Sequence, residues 1–485
     1  IFFLFFFGVY ASAQNNVIEE VFVTAEKRSE NLQDISQAVT SISDQDLESK
    51  NIESFVDLSA IVPGVTVSKN EGYKTVISIR GVGNETNQNA IAAPSVAFHL
   101  DGIFIASPFA LQTDFIDVDR IEVIRGPQGT LFGQNSTGGA INVISKKPSL
   151  DGNMSKYDLT LGNYGLSKFR SSNNLVFSQN VASRISFSKT ERDGFTDNVF
   201  NGQDLDDANN FSLRADLLID IDSSSSLRFF GQYFEVDRNG SAMRGIDDPT
   251  PSIRKLSQDT LSKHELSSSI LAAIYESDLG FATLKMMASV QEDDILVVRD
   301  NDRHNFGDSV LSIPGLGTDA VYQRAEFNPE TSLVDTSTFE INLISNEPML
   351  DGKLDWTIGA FFMEHEIKNT IRGYRDNDLT GRLRYLCEEA FANPGYCYTH
   401  DYGIPGRFDV FAADWDFVTD ALPTRESYSI YGQGTYSFRN DLRVIAGMRF
   451  SEDTFKTNVT NFFNTENFTE EGTSDETTGK ITGEL

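Results

Sequence analysis

Five histidines, His99, His264, His304, His365 and His400, are the residues of this chain best suited to ligating a metal or moving a proton near neutral pH. Their spacing supports neither task. No His-Glu-x-x-His or comparable ligand spacing occurs, and although His365 stands between Glu364 and Glu366, neighbours in a strand point to opposite faces. There is no Gly-x-Ser-x-Gly elbow for a nucleophile. The acid pairs Asp247-Asp248 and Asp293-Asp294 fall in polar connections, where they read as solvated carboxylates that a cation or ferric complex could touch. Arg80 and Arg125 each precede a glycine at the end of an apolar run, and each alone reads as an exposed arginine at a strand end. No set of residues here makes an enzyme, and none calls for a cofactor or a resident metal.

The elements around these residues are more informative than the residues themselves. Asp119 to Pro148 opens with Ile121, Val123 and Ile124 and closes with Ile141, Val143 and Ile144, with five glycines between Arg125 and Ala140. Glycine at that density serves positive φ or close approach of backbone, which implies two short strands and a loop folded tightly inside something. A phosphate loop is a poor fit, because no Gly-Lys-Ser/Thr follows. This run resembles the last plug motif of TonB-dependent outer-membrane receptors. Glu20 to Ala25 (EVFVTA) is similar to that family's TonB box, Ile79 to Gly83 (IRGVG) to its central plug motif, and Val96 to Ile103 (VAFHLDGI) to the strand and turn that follow. The four segments stand in the family's order.

The resemblance implies a small α+β plug domain, residues 31–147, followed by an antiparallel transmembrane β-barrel, residues 148–485, here incomplete. It implies that Glu20, Val21, Phe22, Val23, Thr24 and Ala25 pair with the TonB protein of the inner membrane, and that Arg80 and Arg125 anchor the plug to barrel carboxylates. The activity expected is energised uptake of a scarce ligand across the outer membrane, a ferric siderophore first; a passive porin or a receptor that never translocates is the alternative.

The rest of the chain agrees with that frame. Residues 1–13, a Phe-rich apolar run ending in Ala11-Ser12-Ala13, read as the remnant of a secretory signal peptide. Residues 14–30 read as an exposed leader whose VFV island can add a strand to a partner's sheet. Cys387 and Cys397 permit either a small disulfide loop or two separate thiols, and export favours the disulfide. A net charge of -31 argues against nucleic acid as a partner.

Within residues 31–147, the sequence predicts strands over Ala38 to Ile42, Thr75 to Ile79, Val96 to Leu100 and Ile103 to Ile105. It also predicts helical turns capped by Asp44 and Ser54, and a hairpin turn at Asp101-Gly102. After Ser149 the texture becomes alternation of period two: Phe211, Leu213, Ala215, Leu217 and Ile219 on one face, Ser212, Arg214 and Asp216 on the other. About a dozen such strands predict an open, curved sheet with an unpaired edge. A soluble sandwich has the same alternation, but strand-terminal aromatics and the alternation of short and long links favour the membrane. The long polar links are expected at Glu191 to Asn210, Asp237 to Lys263, Glu292 to Asp335 and Lys368 to Glu426.

Overall fold

In the computed structural model the described residues are 22–484, apart from 25, 36, 71–73, 84–93, 113, 247, 301–302, 304–308, 313–318, 323–325, 376–416, 440–441 and 462–467. Residues 1–13, read as a signal remnant, Glu20, Val21 and Ala25 of the expected TonB box, and both cysteines lie outside them.

The leader supplies β1 (Phe22–Val23) and β2 (Glu30–Asn31), which pair with each other. The plug follows with β3 (Ala38–Ser43), α1 (Asp44–Ser49), α2 (Leu58–Ile61), β4 (Val65–Asn70), β5 (Lys74–Ile79), β6 (Val96–Leu100), β7 (Ile103–Ile105), β8 (Val118–Arg125) and β9 (Gly139–Ser145). Its main sheet runs β3-β8-β9-β6-β7, with β4 and β5 forming a separate hairpin. Ser43, not Asp44, caps α1, its hydroxyl accepting the Asp46 amide; the cap must sit one residue outside the first helical turn, and serine does so here. Ser54 does fold as expected, its amide donating to the Asp57 carboxylate at 2.9 Å.

The glycine loop between β8 and β9 is as tight as its composition requires. A Cβ on Gly139 (φ +146°) would stand 2.2 Å from the Ile124 carbonyl oxygen, so only glycine lets the two strands meet there.

Twelve strands make the wall: β10 (Met154–Leu161), β11 (Ser167–Ser178), β12 (Val181–Arg192), β15 (Ala208–Asp220), β16 (Ser225–Arg238), β18 (Lys263–Asp278), β19 (Ala282–Asp300), β22 (Glu326–Ser345), β23 (Leu354–Arg375), β24 (Phe417–Arg439), β25 (Leu442–Asn461) and β26 (Phe468–Glu484). The links carry β13 (Thr196–Asn198), β14 (Asp204–Leu205), β17 (Lys255–Leu256), β20 (Ser309–Ser312) and β21 (Asp319–Tyr322). Every neighbouring wall pair is antiparallel and next in sequence, and β10 and β26 are not paired with each other. The wall is an open meander.

Its polarity excludes the soluble sandwich. Leu271 and Ile430 point outward at 63% and 62% exposure, while Arg214 and Asp216 point inward at 2% and 3%, packed on the plug. A sheet with apolar residues outside and charges inside suits hydrocarbon, not water. No helix among the described residues is long and apolar enough to cross a membrane, which leaves crossing by strands open.

The strands run further than their sequence pattern suggests. β23 and β24 have 22 and 23 residues, about twice the roughly 10 that a bilayer needs. Asp293 and Asp294, expected in a loop, lie within β19 instead, and Asp293 is buried. Acidic residues ended the predicted strand because they looked solvated, but a luminal face accepts them.

Candidate functional site

The plug sits on the inner face of the wall, and two of the spaces between them lie at opposite ends. One end of the wall carries the short turns 220–225, 278–282 and 345–354, and the other carries the long links.

Toward the long links is a chamber of about 500 Å³. Plug residues Phe104, Ser107 and Phe109 face Val334, His365, Ile367, Arg425 and Phe455 of the wall across it. Arg425 is paired with Asp453 at 3.2 Å, and Lys74 with Glu330 at 3.2 Å. The Thr336 hydroxyl lies 2.8 Å from His365 Nδ1. Asp453 and Glu476 line it too, so the chamber sets aromatic surface beside charges of both signs, which fits a compact organic ligand with polar groups.

Lys74–Glu330 apart, the ion pairs that tie the plug to the wall set plug carboxylates against wall cations, the reverse of the polarity expected. Asp101, in the β6–β7 turn at φ +54°, projects into the wall between two arginines. Arg214 Nη2 donates to its carboxylate at 2.7 Å and Arg228 Nη2 at 3.2 Å, while Arg228 Nε holds Asp216 at 2.9 Å. Ser145 adds its amide at 2.9 Å and its hydroxyl at 2.6 Å. Burial alone would raise the Asp101 carboxyl, but Arg228, Arg214 and Ser145 hold it down at about 2. A second tie joins Asp117 to Arg184 at 2.7 Å, and a third joins Glu53 to Lys168 at 2.9 Å.

Arg80 and Arg125, expected to reach wall carboxylates, form no ion pair among the described residues. Arg80 is exposed at a turn with φ +52° and lies along the Gly64 and Gly126 backbone. Arg125 is satisfied by the plug itself, donating to the Ala38 and Pro63 carbonyls at 3.4 Å and to the Thr40 hydroxyl at 3.2 Å. Carbonyl and hydroxyl oxygens of its own domain take its donors.

The leader is docked rather than loose. Thr24 donates its amide to both Glu122 oxygens at 3.0 Å and its hydroxyl at 2.8 Å, and Asn142 Nδ2 donates to that hydroxyl at 3.2 Å. Val23 is fully buried, and Phe22 alone of the described box residues is largely exposed. The next residues bind the wall: Glu26 accepts from Gln433 at 3.0 Å, Lys27 pairs with Glu340, and Arg28 pairs with Asp355 at 3.1 Å. The expected exposed leader is therefore half-sequestered, because backbone and hydroxyl donors at Thr24 find a buried carboxylate.

Glu30 makes this docking sensitive to pH. Burial, helped by Glu26 and opposed by Arg28, pushes its carboxyl from 4.5 up to about 7. The docked leader thus holds the proton more tightly than a free one, so docking is favoured in acid and weakens as pH rises from about 4.5 through about 7. Trypsin cleavage after Lys27 and Arg28, normalised to a free peptide, is expected to rise about threefold or more between pH 6 and pH 8. Glu30→Gln should flatten that slope; an unchanged slope would assign it elsewhere.

His99 is buried in the plug against Phe104 and Phe132, with ring centroids 5.5 and 5.1 Å away, and burial drives it down to about 3, so it stays neutral. No group of three or more potential ligands occurs among the described residues.

Residues 31–140 match the TonB-dependent Receptor Plug Domain. This segment belongs to the plug-domain family of TonB-dependent receptors. The chain is 30% identical to the pesticin receptor of Yersinia pestis over 170 residues, 32% of this chain and 24% of that protein. To an iron-regulated outer membrane virulence protein of Vibrio cholerae it is 33% identical over 149 residues, 30% of this chain and 22% of that one. The fold matches the crystal structure of the ferric yersiniabactin uptake receptor FyuA from Yersinia pestis with a TM-score of 0.71 at 14% identity, covering 92% of this chain and 62% of that structure. The sequence matches thus span about a quarter of these relatives' length. The likeness to FyuA concerns the fold.

Proposed function

We propose that this receptor takes up a scarce ligand, a ferric siderophore complex first, across the outer membrane, with TonB supplying the work. The observation that carries this reading is a plug seated on the luminal face with a β-prone leader docked beside it at the short-turn end. A passive porin has no use for either part. On this reading the short turns and leader face the periplasm, the long links face outward, and the chamber beneath them receives the ligand. The relative described as an iron-regulated outer membrane virulence protein supports the iron reading. Plug anchoring by Arg80 and Arg125 stays a proposal, tested by whether wall carboxylates meet them in a structure of the full-length protein.

The test is growth and radio-iron uptake under iron limitation, with and without the gene, across a panel of ferric siderophores. Failure of every complex to depend on the gene would remove the iron reading. For a complex that does depend on it, Arg425→Glu is expected to weaken binding about tenfold, the effect of losing roughly 1.4 kcal/mol of attraction. Unchanged affinity would place the ligand outside the chamber.

A further inference from the structure

At the short-turn end lies a second space, a cavity of about 180 Å³ between the plug, the leader and the wall. Lys27, Arg120, Lys147, Arg228 and Lys285 line it, against only two carboxylates, Asp101 and Glu276. Several of these charges are already committed: Arg120 to Glu122 at 2.9 Å, Lys285 to Glu276 at 2.9 Å, and Lys27 to Glu340. One is not, and another keeps a spare donor: Lys147, exposed at the cavity's edge, forms no ion pair among the described residues, and Arg228, 4% exposed and paired with Asp101 and Asp216, has its Nη1 buried without an acceptor. A buried guanidinium N–H with no partner is costly, and an acceptor in the cavity would relieve it. The chain as a whole is strongly acidic, so this concentration of cations is local.

We infer that this cavity is a binding site for an oxyanion, a phosphate-sized ion or the anionic edge of a larger ligand, and that its occupancy is coupled to docking of the leader. The volume accommodates a tetrahedral oxyanion with a few waters. Arg228 Nη1 and Lys147 supply the donors, and Asn142 and Ser226 complete a polar lining.

The coupling follows from Thr24 and Lys27, which are leader residues and form part of the cavity's surface. Withdrawing the leader removes the Lys27 ammonium and strips Glu340 of its partner, so the space loses a positive charge and gains an uncompensated negative one. Its affinity for an anion must fall. Linkage then requires the converse: an anion in the cavity holds the leader docked. Pulling the leader and ejecting the anion are one event. As a step in transport this rests on the uptake reading; as an anion site it does not.

The experiment uses full-length receptor in detergent, with a spin label at Phe22→Cys in a Cys387→Ser/Cys397→Ser background. Inorganic phosphate is titrated against chloride at matched ionic strength. Phosphate is expected to lower the mobile fraction of the label severalfold, and Lys147→Glu to abolish that response while the leader stays docked without phosphate. Calorimetry should show phosphate affinity falling at least about tenfold in Lys147→Glu, with Lys147→Gln intermediate; tenfold corresponds to about 1.4 kcal/mol. Equal phosphate affinity in wild type and Lys147→Gln would overturn the site, and a label indifferent to bound phosphate would overturn the coupling. Neither result depends on uptake, so a receptor that binds phosphate here but transports no iron would sink the transport reading alone.

Discussion

Asp101→Ala is expected to loosen the plug more than any other single substitution in it. The carboxylate is buried between Arg214 and Arg228, which are themselves 2% and 4% exposed, and it accepts from Ser145 as well. Truncating it leaves two buried guanidinium groups with one carboxylate, Asp216. Breaking a buried ion network by removing one partner costs about 3–5 kcal/mol, far more than the network is worth against an apolar replacement. Asp101→Asn should fall between, since the amide oxygen still accepts while the charge is lost. The β6–β7 hairpin adds a separate requirement. Asp101 and Gly102 have φ +54° and +87°, the left-handed pair of a type I′ turn, which aspartate tolerates better than alanine. Urea titration of the full-length receptor in detergent, followed by proteolysis of the plug, measures the result. A midpoint within error of wild type would show that the clasp holds nothing.

That clasp shows what a sequence yields and what it withholds. Period-two alternation exposes the wall directly: Arg214 and Asp216 stand on the polar face opposite Leu213 and Ala215, and this is the face that meets the plug. The Asp101-Gly102 turn is equally plain, because turn chemistry is local. Neither fact contains the other. Asp101 and Arg214 are 113 residues apart, so their pairing depends on how deep the plug sits and on the stagger of β15 and β16. Arg80 and Arg125 drew attention instead because a family motif marks them.

The leader was misread for the same reason. A VFV triplet in polar surroundings looks exposed, and only Glu122, 98 residues onward, accounts for Thr24 being held and Val23 buried beside it. Strand lengths failed differently. The rule that acids end strands assumes water on both faces, and Asp293 faces a plug. The cationic cavity had no sequence signal at all, since its lysines and arginines come from the leader, the plug and two wall strands.

Ligand uptake is expected to fall to that of a strain without the gene in Val23→Pro, with ligand binding unchanged. A plug fills the lumen, so passage needs work, and the outer membrane has no nucleotide pool or gradient of its own to provide it. On the proposed reading the work arrives through strand addition at the leader, where backbone hydrogen bonds carry the load. Proline at position 23 removes one of those donors and restricts the residue before it. The chamber lies at the other end of the plug and is untouched. Docking complicates the result, because Val23 also pairs with Glu30 and is buried. A leader that merely undocks must therefore be distinguished from one that cannot be gripped. Thr24→Ala makes the distinction: it loses the hydroxyl bond to Glu122 while keeping every backbone donor, so the leader frees more easily yet can still add a strand. Uptake should survive in Thr24→Ala and vanish in Val23→Pro. Loss in both would make docking the essential step, and loss in neither would refute energy coupling through this segment and bring forward the receptor that binds without transporting.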